Sequence, residues 1–121
     1  AEAYAAADVF VHPTWYDPCS LVMLEAMASG LPSISTRLNG ASEFAEGSGA
    51  AVVLDAPRPV GALAEAMLGL MDPERREAMG RAARQVALEH PLERNLREML
   101  ACLEESAATT AARHGEGAIG V

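Results

Sequence analysis

Two carboxylates bracket a helix start in WYDPCSLVMLEAMASGLP, residues 15–32, where Asp17 stands just before Pro18 and Glu25 lies inside an otherwise apolar run. Asp-Pro ahead of a helical stretch has the form of an N-cap. The side-chain oxygen meets free backbone N–H groups, and the proline sits where no donor is needed. Taken alone, Asp17 reads as that cap, with Pro18 at the first helical position. Glu25 asks for more, because Leu21, Val22, Met23, Leu24, Ala26, Met27 and Ala28 leave the helix no wide polar face. A helix apolar all round is usually buried, and a buried carboxylate needs a partner or gives up its charge. An arginine, solvent at the helix edge, or a ligand could answer it.

Spacing gives the ligand a shape. Cys19 and Glu25 are six residues apart, roughly 9 Å along a helix axis. A diphosphate received by the backbone N–H groups of Cys19, Ser20 and Leu21 would lie between the two carboxylates. Glu25 could then accept from both hydroxyls of a ribose, and Asp17 from the hydroxyls of a sugar. A nucleoside diphosphate sugar has that layout.

The elements that must position these groups are marked by clear punctuation. EAYAAAD (2–8) is helical in propensity, VFVHP (9–13) reads as a strand stopped by Pro13, and TWYDP (14–18) is loop. SLVMLEAMAS (20–29) follows as a helix with Gly30 at its stop and Pro32 beyond. PSISTR (32–37) reads as a second strand, Asn39-Gly40 as a turn, ASEFAE (41–46) as a short helix and Gly47-Ser48-Gly49 as loop. AAVVLD (50–55) is a third strand, apolar throughout as in a parallel sheet covered on both faces. VGALAEAMLGLM (60–71) carries a helical stripe at 60, 63, 64, 67, 68 and 71. Residues 72–90, opened by Asp72-Pro73, and 92–106 add two amphipathic helices. The last stretch, 107–121, lacks periodicity and is expected to be a disordered tail. Helix and strand in alternation imply an α/β fold with about three parallel strands flanked by helices.

Bulk properties narrow the classes. The 121 residues, half of them hydrophobic, suffice for one core, and two are not expected. All nine basic residues are arginines, set against seventeen acidic ones for a net charge of −8. That balance repels nucleic acid over the surface as a whole, while a helix start can still hold a small anion. Cys19 and Cys102 are too few for a disulfide framework or a zinc site, so a reducing cytoplasm is the simpler setting. No apolar run reaches the roughly 20 residues of a membrane span, which leaves peripheral membrane contact open. The opening AEAYAAADVF, without Met, reads as the interior of a longer chain.

The signature DPCSLVMLEAMASGLP resembles the donor-site motif of retaining glycosyltransferases of family 4, group 1. In that motif two Glu residues separated by seven others lie on a loop and helix of a GT-B fold. AEAYAAADVFVHPT before it, and SISTRLNGASEF and GSGAAVVLDAPRPVGALAEAMLGLMDPERREAMGRAARQVALEH after it, also resemble what flanks that motif, so the likeness covers about residues 1–104. The chain departs from the pattern at Asp17, one methylene shorter than the usual Glu, and at Cys19-Ser20, where a small turn is common. The resemblance implies that residues 1–106 are a partial, Rossmann-like nucleotide-sugar-binding domain, the C-terminal half of a GT-B donor domain. It implies that Glu25 binds the nucleoside ribose, that Cys19, Ser20 and Leu21 contact the diphosphate through backbone, and that Asp17 faces the transferred sugar. It further implies hexosyl transfer with retention and no metal or other cofactor. The acceptor would be a glycan or lipid-linked sugar, and the N-terminal half of the same enzyme would complete the site. This chain alone is expected to turn over little or nothing.

Two rival readings follow from the residues. One is a small non-enzymatic α/β binding or interaction module, with Asp17 as cap and Glu25 in a salt bridge. The other is a thiol hydrolase or transferase, with Cys19 activated at a helix start and His12 as base. His90 and His114 are isolated. Arg75, Arg76, Arg81 and Arg84 alternate with Glu74 and Glu77 and read as a solvated helix face.

Overall fold

The computed structural model describes residues 2–116, which divide into two units after Glu89. The first unit contains α1 (Glu2–Ala5), β1 (Phe10–His12), α2 (Leu21–Ala28), β2 (Ser33–Thr36), α3 (Ser42–Ala45), β3 (Ala51–Leu54), α4 (Val60–Gly69) and α5 (Pro73–Glu89). The second is one helix, α6 (Leu92–Glu116). The expected tail therefore begins inside a helix, with 107–116 continuing α6. SAATTAAR has no apolar stripe, but alanine needs none to favour the helical backbone. Residues 117–121 lie outside the described residues.

The strands form a parallel sheet in the order β1-β2-β3, with Val11 opposite Ile34 and Ile34 opposite Val52. The α/β class read from the sequence is the observed one. Burial is distributed differently from expectation. Apolar β3 is only partly buried, because it lies at an edge, while the fully buried middle strand β2 is the polar Ser-Ile-Ser-Thr. Its hydroxyls make this tolerable. Ser35 Oγ donates to the His12 carbonyl at 3.0 Å and Thr36 Oγ1 to the Thr14 carbonyl at 2.7 Å. Each satisfied bond avoids the penalty of an unpaired buried group and also ties β2 to β1 and the loop after it.

Apolar packing covers both faces. Met23 and Met27 of α2 join Ala41, Ala45, Ala50, Ala83 and Val86 in one cluster, and Ile34 joins Ala66, Leu70 and Met79 in the other. Helix α5 serves both and lies close against the end of α2, where a Cβ on Gly80 would collide with the Gly30 carbonyl oxygen. Gly30, at φ 80°, closes α2 with its N–H on the Met27 carbonyl while the Leu31 N–H reaches Ala26. That is the left-handed helix stop a glycine permits.

The arginines of α5 are not simply a solvated face. Arg84 Nη1 donates to the Ala28 carbonyl at 3.0 Å, and Arg76 Nη1 to the Leu70 and Met71 carbonyls at 2.8 Å each. They satisfy the last carbonyls of α2 and of α4 with its following turn, where positive charge is favoured. Arg81 makes the expected i,i+4 pair with Glu77 at 2.8 Å. Among the described residues, no helix is long and apolar enough to cross a membrane.

Candidate functional site

In a parallel sheet the loops that follow the strands gather at one edge, where open α/β folds bind ligands. Here those loops are residues 13–20, between β1 and α2, and 37–41, between β2 and α3. They are bound to each other. Asp17 donates its N–H to the Leu38 carbonyl at 3.1 Å and accepts from the Gly40 N–H at 2.9 Å, which makes an isolated parallel bridge between Asp17 and Asn39. The approach requires glycine at 40, since a Cβ there would overlap the Pro18 carbonyl.

The bridge explains a correction. Asp17 does not cap α2, and Pro18 is not its first residue. With the Asp17 backbone committed to the 37–41 loop, the helix opens three residues later than Pro18, and Ser20 is the N-cap, its Oγ accepting from the Met23 N–H at 3.3 Å. The Asp17 carboxylate turns to nearer donors. Oδ1 accepts from the Cys19 N–H and Oδ2 pairs with His12 Nε2, both at 3.2 Å. The aspartate side chain is 26% exposed and the histidine 36%. The hydrogen bond of His12 thus goes to Asp17, and Cys19 stays an exposed free thiol, which removes the support for a Cys19–His12 pair.

Asn39 is the hub that sequence reasoning took for a plain turn residue. It is fully buried. Its Oδ1 accepts from the N–H groups of Ser20 at 3.3 Å and Ala41 at 3.0 Å, and its Nδ2 donates to Ser35 Oγ at 3.0 Å and Met23 Sδ at 3.4 Å. One side chain therefore joins β2, the start of α2 and the start of α3. A clue lay in the sequence: Asn39 follows the strand whose hydroxyls needed partners.

Of the three amides expected to face a phosphate, those of Cys19 and Ser20 are engaged by Asp17 and Asn39. Leu21, and beyond it Val22, have N–H groups with no acceptor among the described residues. Both side chains stand in solvent, 66% and 50% exposed. Helix α2 is thus not buried all round, despite its composition. Met23, Ala26 and Met27 are buried, Leu24 packs half-buried against the same cluster, and Glu25 falls on the exposed side.

Among the described residues Glu25 meets no arginine. Its Oε2 accepts from the Tyr4 hydroxyl at 2.9 Å, and the same hydroxyl lies 3.4 Å from the Val22 carbonyl. Desolvation, then the hydrogen bond and negative charge of Glu25, hold the Tyr4 phenol above its ordinary pKa. Tyr4 is a site neighbour the sequence did not reveal. Among the described residues no group of His, Cys, Asp and Glu could hold a metal ion.

A parallel α/β unit with helices packed on its sheet and loops gathered at the carboxyl edge of its strands has a Rossmann-like form. Comparison makes the class specific. The family model for glycosyl transferases group 1 matches residues 1–73, and the chain belongs to that family. It is 38% identical over 88 residues to a sulfoquinovosyl transferase of Arabidopsis thaliana, covering 70% of this chain and 17% of that protein. It is 41% identical over 80 residues to the glycogen synthase of Mycobacterium tuberculosis, covering 65% of this chain and 19% of that one. A sucrose-phosphate synthase structure from Thermosynechococcus elongatus superposes with a TM-score of 0.77 at 28% identity, over 88% of this chain and 27% of that one. The structural neighbours are GT-B glycosyltransferases. The chain spans about a fifth of the length of these curated relatives.

Proposed function

We propose that this chain is the nucleotide-sugar-gripping part of a retaining glycosyltransferase, which as a whole protein moves a hexosyl group from a nucleoside diphosphate donor to an acceptor. The observation that carries the reading is the opening of α2, where two N–H groups without acceptors lie between a carboxylate fixed before the helix and another in its second turn. Amides so placed stabilise a diphosphate when it binds and when it leaves, because their dipoles are already aimed where negative charge develops. In this reading Leu21 and Val22 supply the phosphate contacts, and Cys19 and Ser20 shape the turn that presents them.

Glu25 accepts from the ribose hydroxyls, and Asp17, braced by His12, faces the transferred sugar. A shorter acid held on both oxygens has fewer positions than a free glutamate, which suits a selective contact with one sugar. We assign the acceptor to the class of glycans or lipid-linked sugars and the location to the cytoplasmic side, with peripheral membrane contact for the complete enzyme. No metal or other cofactor enters the scheme. A completing N-terminal half supplies the acceptor site and further positive charge. On this basis the chain by itself turns over little or nothing.

The deciding experiment is calorimetric titration of the protein expressed from its complete gene with UDP, ADP and GDP. Saturable binding of one of them, weakened at least about tenfold by Glu25→Gln, is expected for a carboxylate that accepts two hydroxyls. Affinity untouched by that substitution would refute the assignment.

A further inference from the structure

We propose that Tyr4 is a positioning residue that sets the Glu25 carboxylate for the ribose, an inference that rests on the donor reading above. A glutamate on an exposed helix face samples several rotamers, and freezing them on binding opposes affinity. Glu25 is such a residue, apart from one restraint. The Tyr4 hydroxyl, 21 positions upstream, donates to Oε2 at 2.9 Å.

The geometry suits a support that does not compete with ligand. A phenol brings one proton, whereas a carboxylate offers about four lone-pair sites, so a bond to Oε2 leaves Oε1 and half of Oε2 for two neighbouring hydroxyls. Among the described residues Oε1 has no protein partner. The phenol also stays in its donor form, because its proton is held more tightly than in a free tyrosine. Helix α1 has no buried residue. Its Tyr4 bonds, to Glu25 and more weakly to the Val22 carbonyl, join it to the same two helical turns that carry the candidate site.

Tyr4→Phe removes one oxygen and keeps the ring. The test measures, in protein expressed from its complete gene, the dissociation constants of whichever of UDP, ADP or GDP binds tightest and of its 2′,3′-dideoxy form. It does so for the native sequence, Tyr4→Phe, Glu25→Gln and the double variant. Tyr4→Phe should weaken the ribonucleotide by about three- to tenfold, the range for one lost restraint on a rotamer-rich side chain. It should leave the dideoxy form unchanged and add nothing to Glu25→Gln. Equal losses for both ligands would overturn the proposal, because they would mean that Tyr4 supports only the fold. No loss from Tyr4→Phe, with Glu25→Gln still weakening the ribonucleotide, would overturn it while sparing the donor reading. No loss from Glu25→Gln would strike that reading first and this inference with it.

Discussion

Asp17 is tied into the fold through its backbone and both carboxylate oxygens, whereas Glu25, eight residues on, meets the protein at the tip of an exposed side chain through one phenol. The first acid cannot move without disturbing the loops after β1 and β2. The second can be altered with little consequence for packing. Stability and ligand recognition are therefore entangled at one end of the α2 opening and separable at the other.

The sharpest way to break the Asp17 end is Gly40→Ala. The added methyl would overlap backbone, the Pro18 carbonyl, and no side-chain rotation relieves that. The loops must separate and give up the bridge to Asp17, so a loss of about 3 kcal/mol or more is expected in denaturant unfolding. A loss below about 1 kcal/mol would mean the loops are not locked as described. Asn39→Ala comes next. It leaves the Ser20 and Ala41 N–H groups and the Ser35 hydroxyl without their buried partner and removes the amide volume from between β2 and α2. Admitted water can recover part of this, which places the expected loss at about 2–3 kcal/mol.

At the other end Glu25→Gln should separate the two quantities. Its cost to unfolding should stay within about 0.5 kcal/mol, as for an exposed position, while nucleoside diphosphate affinity falls at least about tenfold, as argued above. Matched losses at Glu25 and Asn39 in both measurements would erase the distinction between the two ends.

What the sequence disclosed, and what it hid, follows the same division between local and distant causes. The strand and helix order was readable because Pro13, Pro32, Gly30 and the Gly47-Ser48-Gly49 stretch act on the backbone beside them. Asp17, Glu25 and the helix start between them were readable from spacing and from the family motif. The helix start was misplaced because Asp17 is held by Asn39 and its neighbours, 22 positions away by subtraction of the numbers in the bridge. No local preference encodes that bond. The burial of Ser33, Ser35 and Thr36 was hidden likewise, since hydroxyls that look solvent-facing in a strand become interior once the carbonyls of Leu31, His12 and Thr14 accept from them. Tyr4 was invisible as a site residue because its partner depends on where α1 meets α2. The full extent of α6 was missed for a different reason: apolar periodicity reports packing, and alanine-rich sequence can be helical without it.

The smallest expected effect is also the most direct test of the single contact at the Glu25 end. A phenol whose proton is held more tightly in the folded protein than in the unfolded chain favours folding below the unfolded pKa. That contribution disappears as pH rises through the higher folded value. The relevant window is therefore alkaline, above the ordinary tyrosine range near 10, and nothing should change at neutral pH. Tyr4 and Tyr16 are the two tyrosines of these 121 residues, and Tyr16 is well exposed, so in the 121-residue chain expressed by itself Tyr16→Phe leaves one phenolate absorbance to follow. In that background the Tyr4 midpoint should stand above the usual tyrosine value, and adding Glu25→Gln should lower it, because the neutral amide removes the negative charge and weakens the acceptor. A midpoint indifferent to Glu25→Gln would mean that the two side chains do not meet in solution. The acid on α2 would then be free rather than lightly held, and the contrast with Asp17 would widen.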